Sequence, residues 1–215
     1  MVRFDFVTYD RRGYQGSRDM RPLNFNAHVQ DLLALAQREH ERGPVILFGH
    51  SYGGVVTLGA ALADPSLVSM VLVYEAPLPW VHAREGTHPP LGRDTALEAE
   101  RFFRRIVSDG AWERLSELER ESRRRDGPAL VSDLTSLRRG ELALDLAALS
   151  VPTTYVYGDE RAPEYYRALC AALARLNPAI ESRELRRAGH GAHLSMPDQL
   201  ASLIDTLWEA TCASA

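Results

Sequence analysis

The sequence predicts an α/β fold, a mostly parallel sheet with helices on both faces. Short apolar runs recur at residues 4–9, 45–48, 69–74, 151–157 and 181–185. Between most of them lie segments whose apolar residues fall at helical spacing. Strands and helices alternating at this rhythm imply crossover connections, and those build a parallel sheet covered on both sides. A third observation agrees: Val45-Ile46-Leu47-Phe48 has no polar member and suits a strand buried on both faces.

The first run, residues 4–9, ends at Asp10 and is expected as a strand. Residues 11–22 are rich in Gly, Arg and Asp and form a loop. Asn24 is placed to cap a helix over 25–41, whose apolar side is Phe25, Val29, Leu32, Leu33 and Ala36. Gly43-Pro44 stops it. After the 45–48 strand, residues 49–54 make a tight Gly-rich turn into a helix that ends at Asp64-Pro65. The strand over 69–74 ends at Glu75-Ala76-Pro77. From residue 78 to 149 no strand pattern appears. Helical faces are marked instead by Phe102, Phe103, Ile106 and Val107, by Trp112, Leu115 and Leu118, and by Leu130, Leu134 and Leu137. Strand character returns at 151–157, followed by a helix at 163–176, a weaker strand at 181–185 and a last helix at 197–208. The expected organisation is a core of residues 1–77 and 150–215 interrupted by a helical insertion, 78–149.

Composition excludes several chemistries. All 25 basic residues are Arg. Without Lys there is no Schiff-base catalysis, no P-loop lysine and no Ser-Lys dyad. The net charge of −4 argues against a nucleic-acid partner. Ten Arg lie between Arg101 and Arg139, interspersed with Asp109, Glu113, Glu117, Glu119, Glu121, Asp126 and Asp133, a pattern expected of solvated helix faces. Cys170 and Cys212 lack metal-ligand spacing, and no metal or cofactor is implied. No run of about 18 apolar residues occurs, so no membrane partner is expected. The N-terminus has no apolar signal core, and a cytoplasmic location is expected.

The chemistry concentrates in Gly49-His50-Ser51-Tyr52-Gly53, a G-x-S-x-G match between a buried strand and a helix. Such a turn lifts the serine above the sheet, and flanking glycines relieve crowding in the bend. The helix N-terminus offers backbone N–H groups and a positive partial charge to a developing oxyanion. A serine hydroxyl needs a base to take its proton. His190 sits in a loop between Gly189 and Gly191, with His193 as competitor. His50 is expected to pack against neighbouring strands. His28, His40, His82 and His88 are expected at the surface.

Three segments together resemble the α/β-hydrolase superfamily over nearly the whole chain. Residues 7–17, Val-Thr-Tyr-Asp-Arg-Arg-Gly-Tyr-Gln-Gly-Ser, are similar to the "D-x-R-G-x-G-x-S" segment after its fourth strand. Residues 48–54 are similar to its nucleophile elbow, and residues 188–193 to the segment with its catalytic histidine. The helical insertion resembles its cap. The resemblance implies Ser51 as nucleophile, His190 as general base and the Tyr52 N–H as one oxyanion donor. The acid stays open. The commonest family position, three residues after Gly158, is Arg161. Asp159 and Glu160 stand nearby, whereas a family variant places the acid after the sixth strand, where Glu75 lies. A carboxylate ending a buried strand is unusual unless paired.

The family's third strand, and the loop after it that gives the second oxyanion donor, have no counterpart before Ser51. The opening strands are therefore expected to be missing, through an incomplete N-terminus. Direct pairing of the flanking strands and a strand supplied by a second copy are the alternatives. The expected activity is hydrolysis of a small apolar carboxylic ester, thioester or lactone through an acyl-serine, without cofactor. Trp80, Phe102, Phe103 and Trp112 are candidates to line the acyl pocket, against the alternative that they are core residues of the cap. The competing function is an impaired or vestigial fold that binds a small ligand or a partner. A hydrolase-like transferase or perhydrolase is a weaker third.

Overall fold

Local sequence explains the order of elements in the computed structural model, which describes residues 4–84, 86, 89–140 and 142–213. The first helix, α1 (Phe25–His40), starts where Asn24 Oδ1 accepts from the Ala27 N–H at 2.9 Å, and it ends before Gly43-Pro44. Strand β1 (Ile46–His50) runs through one bend residue, Ser51, into helix α2 (Tyr52–Ala63). That helix is apolar around most of its circumference, as a helix enclosed by protein should be, and Tyr52 and every residue from Gly54 to Ala61 are buried. Asp64-Pro65 ends it, and strand β2 (Met70–Tyr74) follows with every residue buried. Helices α3 (Thr95–Ile106), α4 (Asp109–Arg114), α5 (Glu117–Arg125) and α6 (Gly127–Arg138) come next. The first three of these start on side-chain caps at Asp94, Ser108 and Ser116, the last as a full capping box with Glu119. Strand β3 (Thr153–Gly158), helix α7 (Pro163–Leu176), strand β4 (Ile180–Leu185), a short helix α8 (Ala192–Ser195) and helix α9 (Pro197–Ala213) complete the chain.

The four strands form one parallel sheet in the order β1-β2-β3-β4. Its registers set His50 beside Tyr74 and Tyr74 beside Val156, so the carboxyl ends of β1 and β2 lie level and β3 runs two residues further. On one face Met70, Leu72, Tyr74 and Val156 pack with Ala188, Ala192, Leu200 and Leu207. The predicted α/β class is correct. The strand expected at residues 4–9 is not: residues 4–10 have no regular structure, and Phe6 is 77% exposed. An apolar run becomes a strand only when a ladder accepts its backbone groups, and no described strand pairs with this one. Strand β1 consequently ends the sheet order. Phe48 is 38% exposed, although the 45–48 run was expected to be buried on both faces.

The chain divides into two compact units. One comprises Met1–Phe6, Val29–Arg84 and Ala143–Ala215 and holds the sheet; the other comprises Val7–His28 and Glu85–Leu142. These units meet along the chain after residues 6, 28, 84 and 142. The helical unit also takes in the loop that follows residue 6. Two carboxylates of that unit explain why. Asp133, 4% exposed, receives Arg11 Nη2 and the Tyr14 hydroxyl on Oδ2, each at 2.7 Å, and has His28 Nε2 at 3.3 Å from Oδ1. Asp126 accepts Arg18 Nη2 at 2.7 Å and the side-chain amide of Gln15 at 2.8 Å. Both acids belong to the stretch expected to be solvated, and both are buried because they anchor the loop. His28 is buried for the same reason, contrary to the surface position expected. His40 is exposed, His82 is half-buried, and His88 lies outside the described residues.

Burial pushes the Asp133 carboxyl up, but the His28 hydrogen bond, the Arg11 charge and the Arg11 and Tyr14 donors outweigh it and hold it below its ordinary value. A carboxyl depressed in the folded state contributes stability above its unfolded pKa, about 3.9, and loses it as pH falls through the lower folded value. Asp133→Asn is therefore expected to cost about 3–5 kcal/mol at pH 7, because Arg11 loses its buried counter-charge. It should also flatten the acid limb of the stability curve. Urea denaturation followed by circular dichroism at pH 7 and at pH 3 checks this. Equal midpoints for variant and wild type at pH 7 would sink it.

Candidate active site

The site grows out of the strand ends. In a parallel sheet all carboxyl ends emerge on one side, and residues just beyond adjacent ends become neighbours. Ser51 follows β1 and Glu75 follows β2, so the paired residues His50 and Tyr74 deliver both to the same edge. The Ser51 N–H donates to the Tyr74 carbonyl at 2.9 Å, which locks the two exits together. Ser51 has φ 53° and ψ −128°, and Glu75 has φ 47°. Both are L-residues in left-handed backbone, and each costs on the order of 1–3 kcal/mol that the surrounding packing must offset.

The bend at Ser51 depends on glycine, though not on the pair that the motif suggests. A Cβ at Gly49 would meet the Thr57 hydroxyl and lie 2.5 Å from Gly54 Cα. A Cβ at Gly54 would stand 2.8 Å from the Ala76 Cβ. At Gly53 a side chain would meet nothing within 4 Å. The close approach is thus of α2 to β1 and to the Glu75 turn, through Gly49 and Gly54.

His190 comes from the loop after β4. Its Nδ1 lies 2.6 Å from Glu75 Oε2, and the other oxygen, Oε1, accepts the Gly158 N–H at 3.0 Å. Glu75 is 3% exposed, so a buried carboxylate has its two oxygens held by two donors. That satisfies the requirement for burying a charge. The other carboxylates of the region are turned to different tasks. Asp159 Oδ1 accepts the Arg187 N–H at 2.6 Å and so braces the turn leading to His190. Glu160 is exposed, and its N–H donates to the Ala188 carbonyl at 3.1 Å. Of the acids left open by the sequence, the structure brings Glu75 to His190, leaves Asp159 on the backbone and leaves Glu160 exposed.

Two further imidazoles adjoin this pair. The His50 ring lies 4.4 Å from that of His190 and 4.4 Å from that of His193. His50 is pushed down to about 3, first by burial and then by the charges of His190 and His193. His193 is lowered as well, by burial and then by His190. Burial thus makes both rings weaker bases than a free imidazole. Among the described residues no group of His, Cys, Asp and Glu has the arrangement of a metal site, and no helix is long and apolar enough to cross a membrane.

A serine at a strained strand-to-helix bend, and a carboxylate-bound histidine whose acid follows the adjacent strand, invite comparison with known folds. The profile of the alpha/beta hydrolase family matches residues 2–203. The chain belongs to the alpha/beta hydrolase family. No curated protein matched it. Among solved structures it is similar to NosK from Streptomyces actuosus, at 21% identity over 95% of this chain and 85% of that one, with a TM-score of 0.65. It is also similar to the peroxisomal alpha-beta-hydrolase Lpx1 of Saccharomyces cerevisiae, at 13% identity over 96% and 68%, with a TM-score of 0.67. A third likeness is to CarC, a serine hydrolase involved in carbazole degradation, at 17% identity over 94% and 78%, with a TM-score of 0.66. At these identities the likeness is one of fold.

Within this alpha/beta hydrolase the aromatic candidates divide. Trp112 is 1% exposed, and Phe103 meets it edge-on with centroids 5.4 Å apart. Arg104 and Arg124 each lie 5.5 Å from the Trp112 ring, and Arg123 lies 4.7 Å from that of Phe103. These rings form the core of the helical unit, which leaves Trp112 no surface for a substrate. Phe102 is half-buried with Arg105 at 5.6 Å. Trp80 follows Glu75 by five residues, and its indole N–H is buried without a partner among the described residues. Sequence reasoning missed Tyr74, whose hydroxyl donates to the Gly189 carbonyl at 2.8 Å. Its one signal was a phenol ending an otherwise aliphatic strand. Gly158, which in the sequence served only to locate the acid position, is needed for packing as well, because a Cβ there would collide with the Ala188 carbonyl.

Proposed function

We propose that this protein is a serine hydrolase that cleaves a carboxylic ester, thioester or lactone through an acyl-serine intermediate. The observation that carries the reading is the 2.6 Å contact between His190 Nδ1 and Glu75 Oε2, one strand away from the strained Ser51. With its proton on Nδ1 bound to Glu75, His190 has Nε2 free of hydrogen and available as a base. Ser51 Oγ attacks the acyl carbon while Nε2 takes its proton. The buried Glu75 carboxylate then faces an imidazolium, which it stabilises. The tetrahedral oxyanion is received by the Tyr52 N–H at the positive end of α2. Return of the proton from Nε2 to the leaving oxygen or sulfur releases the first product. Water, deprotonated by the same nitrogen, hydrolyses the acyl-serine. Trp80 is the aromatic that this reading keeps beside the acyl group, with its indole N–H as a donor. No cofactor enters the scheme.

The test is a serine-directed fluorophosphonate, with short-chain p-nitrophenyl esters as substrates. The expected result is ester turnover and one phosphonate adduct, mapped by mass spectrometry to the peptide containing Ser51. A folded protein that neither turns over the esters nor takes the label would favour a binding role and overturn the proposal.

A further inference from the structure

The loop carrying His190 is tethered in an orderly way. Three successive carbonyls, those of Ala188, Gly189 and His190, each accept a bond from a different element. The donors are the Glu160 N–H at 3.1 Å, the Tyr74 hydroxyl at 2.8 Å and His50 Nε2 at 2.7 Å. The third acts on the peptide of His190 itself. A carbonyl only accepts, so His50 carries its proton on Nε2. His50 is also the last residue of β1 and immediately precedes Ser51. One rigid strand end therefore presents the serine and grips the backbone of the histidine.

The need for such a grip follows from the loop's composition. His190 stands between Gly189 and Gly191, and glycine flanks leave a peptide wide rotational freedom. Rotation of that peptide would swing the imidazole away from Glu75. We propose that His50 is a positioning residue, whose Nε2–H holds the His190 peptide so that the His190 ring meets Glu75 and Ser51 in one orientation. The inference rests on the hydrolase reading above for the role of His190. The groups facing His190 are Glu75 and His50, with His193 against the His50 ring, the Tyr74 phenol on the neighbouring carbonyl and Glu160 beside Gly189. Glu75 is the negative partner. Burial keeps His50 neutral throughout the working range, so it donates its bond without placing a second positive charge against an imidazolium at His190.

The test compares His50→Met, which fills the volume without a donor, with His50→Gln, whose amide N–H can still reach a carbonyl. If Met does not fold at this site, His50→Asn, with too short a reach, replaces it. Fluorophosphonate labelling of Ser51 is expected to slow on the order of 10–100-fold in the donor-less variant, the penalty of a misplaced catalytic group. The KM for a p-nitrophenyl ester should hold within about 3-fold, because His50 touches no substrate, and Gln should restore labelling to within about 3-fold of wild type. A second readout does not need activity. The low-field proton resonance of His190 Nδ1–H bound to Glu75 should be present in wild type and the Gln variant and lost in the Met variant. Wild-type labelling or a retained resonance in the Met variant would overturn the proposal, as would equal loss in Met and Gln. An unlabelled wild type would instead count against the hydrolase reading, and the resonance would still decide the role of His50.

Discussion

Ser51→Ala is expected to abolish phosphonate labelling and to lower kcat for a short-chain p-nitrophenyl ester by about 10⁶-fold, leaving only background hydrolysis. The loss is large because the nucleophile and its base act as a unit: with no Oγ to deprotonate, His190 and Glu75 have nothing to do in the first step. The substitution is also clean. Alanine at φ 53° meets the same backbone strain as serine, and no described side chain bonds the Ser51 hydroxyl. Stability should therefore change little, and thermal unfolding of the variant provides the control. Residual turnover within tenfold of wild type, in a protein that unfolds at the same temperature, would remove Ser51 from the mechanism.

Glu75→Gln is expected to cost about 10⁴-fold in kcat with little change in KM. Both carboxylate oxygens accept, one from His190 Nδ1–H and one from the Gly158 N–H. An amide has one acceptor and one donor, so one of these bonds becomes a donor–donor contact. If the amide NH₂ faces His190, the imidazole must move its proton to Nε2, the nitrogen that should receive the Ser51 proton. Asp159→Asn makes the contrast. The amide oxygen can still accept the Arg187 N–H, and turnover should stay within about threefold of wild type, as for a substitution that preserves a bond to the backbone. Steady-state kinetics on the two variants decides between the acids, and a crippled Asp159→Asn beside an active Glu75→Gln would reverse the assignment.

Much of this site was legible because the relevant signals are local. The bend at Ser51 is written as an apolar strand, a glycine, and a helix that starts at once. The position of His190 is written as a G-H-G loop after a strand. What sequence could not resolve was the acid, because Glu75 and Asp159 each follow a strand end by a residue. The choice is made in the third dimension. The β1–β2 register sets Glu75 one strand from Ser51, whereas Asp159 turns back onto the Arg187 N–H. The two roles weighed for the aromatic residues could not be told apart for a related reason. Helical spacing marks Phe103 and Trp112 as apolar, but apolar residues line cores and pockets alike, and here they meet each other.

The charges show the same division. Alternating Arg and acid along 101–139 reads as a solvated face, and for Glu100 with Arg104 and Arg124 it is a network at the helix surface. Asp126 and Asp133 look no different in sequence, yet they are buried on partners more than a hundred residues away, Arg18 and Arg11. Pattern and spacing by themselves determined the α/β class and the succession of strands from β1 to β4, and marked Ser51 and His190 as candidates. Those properties depend on contacts within a few residues. The tertiary structure alone decided that residues 4–9 form no strand, which carboxylate meets His190, and which glycines the elbow requires. Each of those depends on what the fold places against the residue: a ladder partner, a neighbouring strand end, or the packed face of a helix.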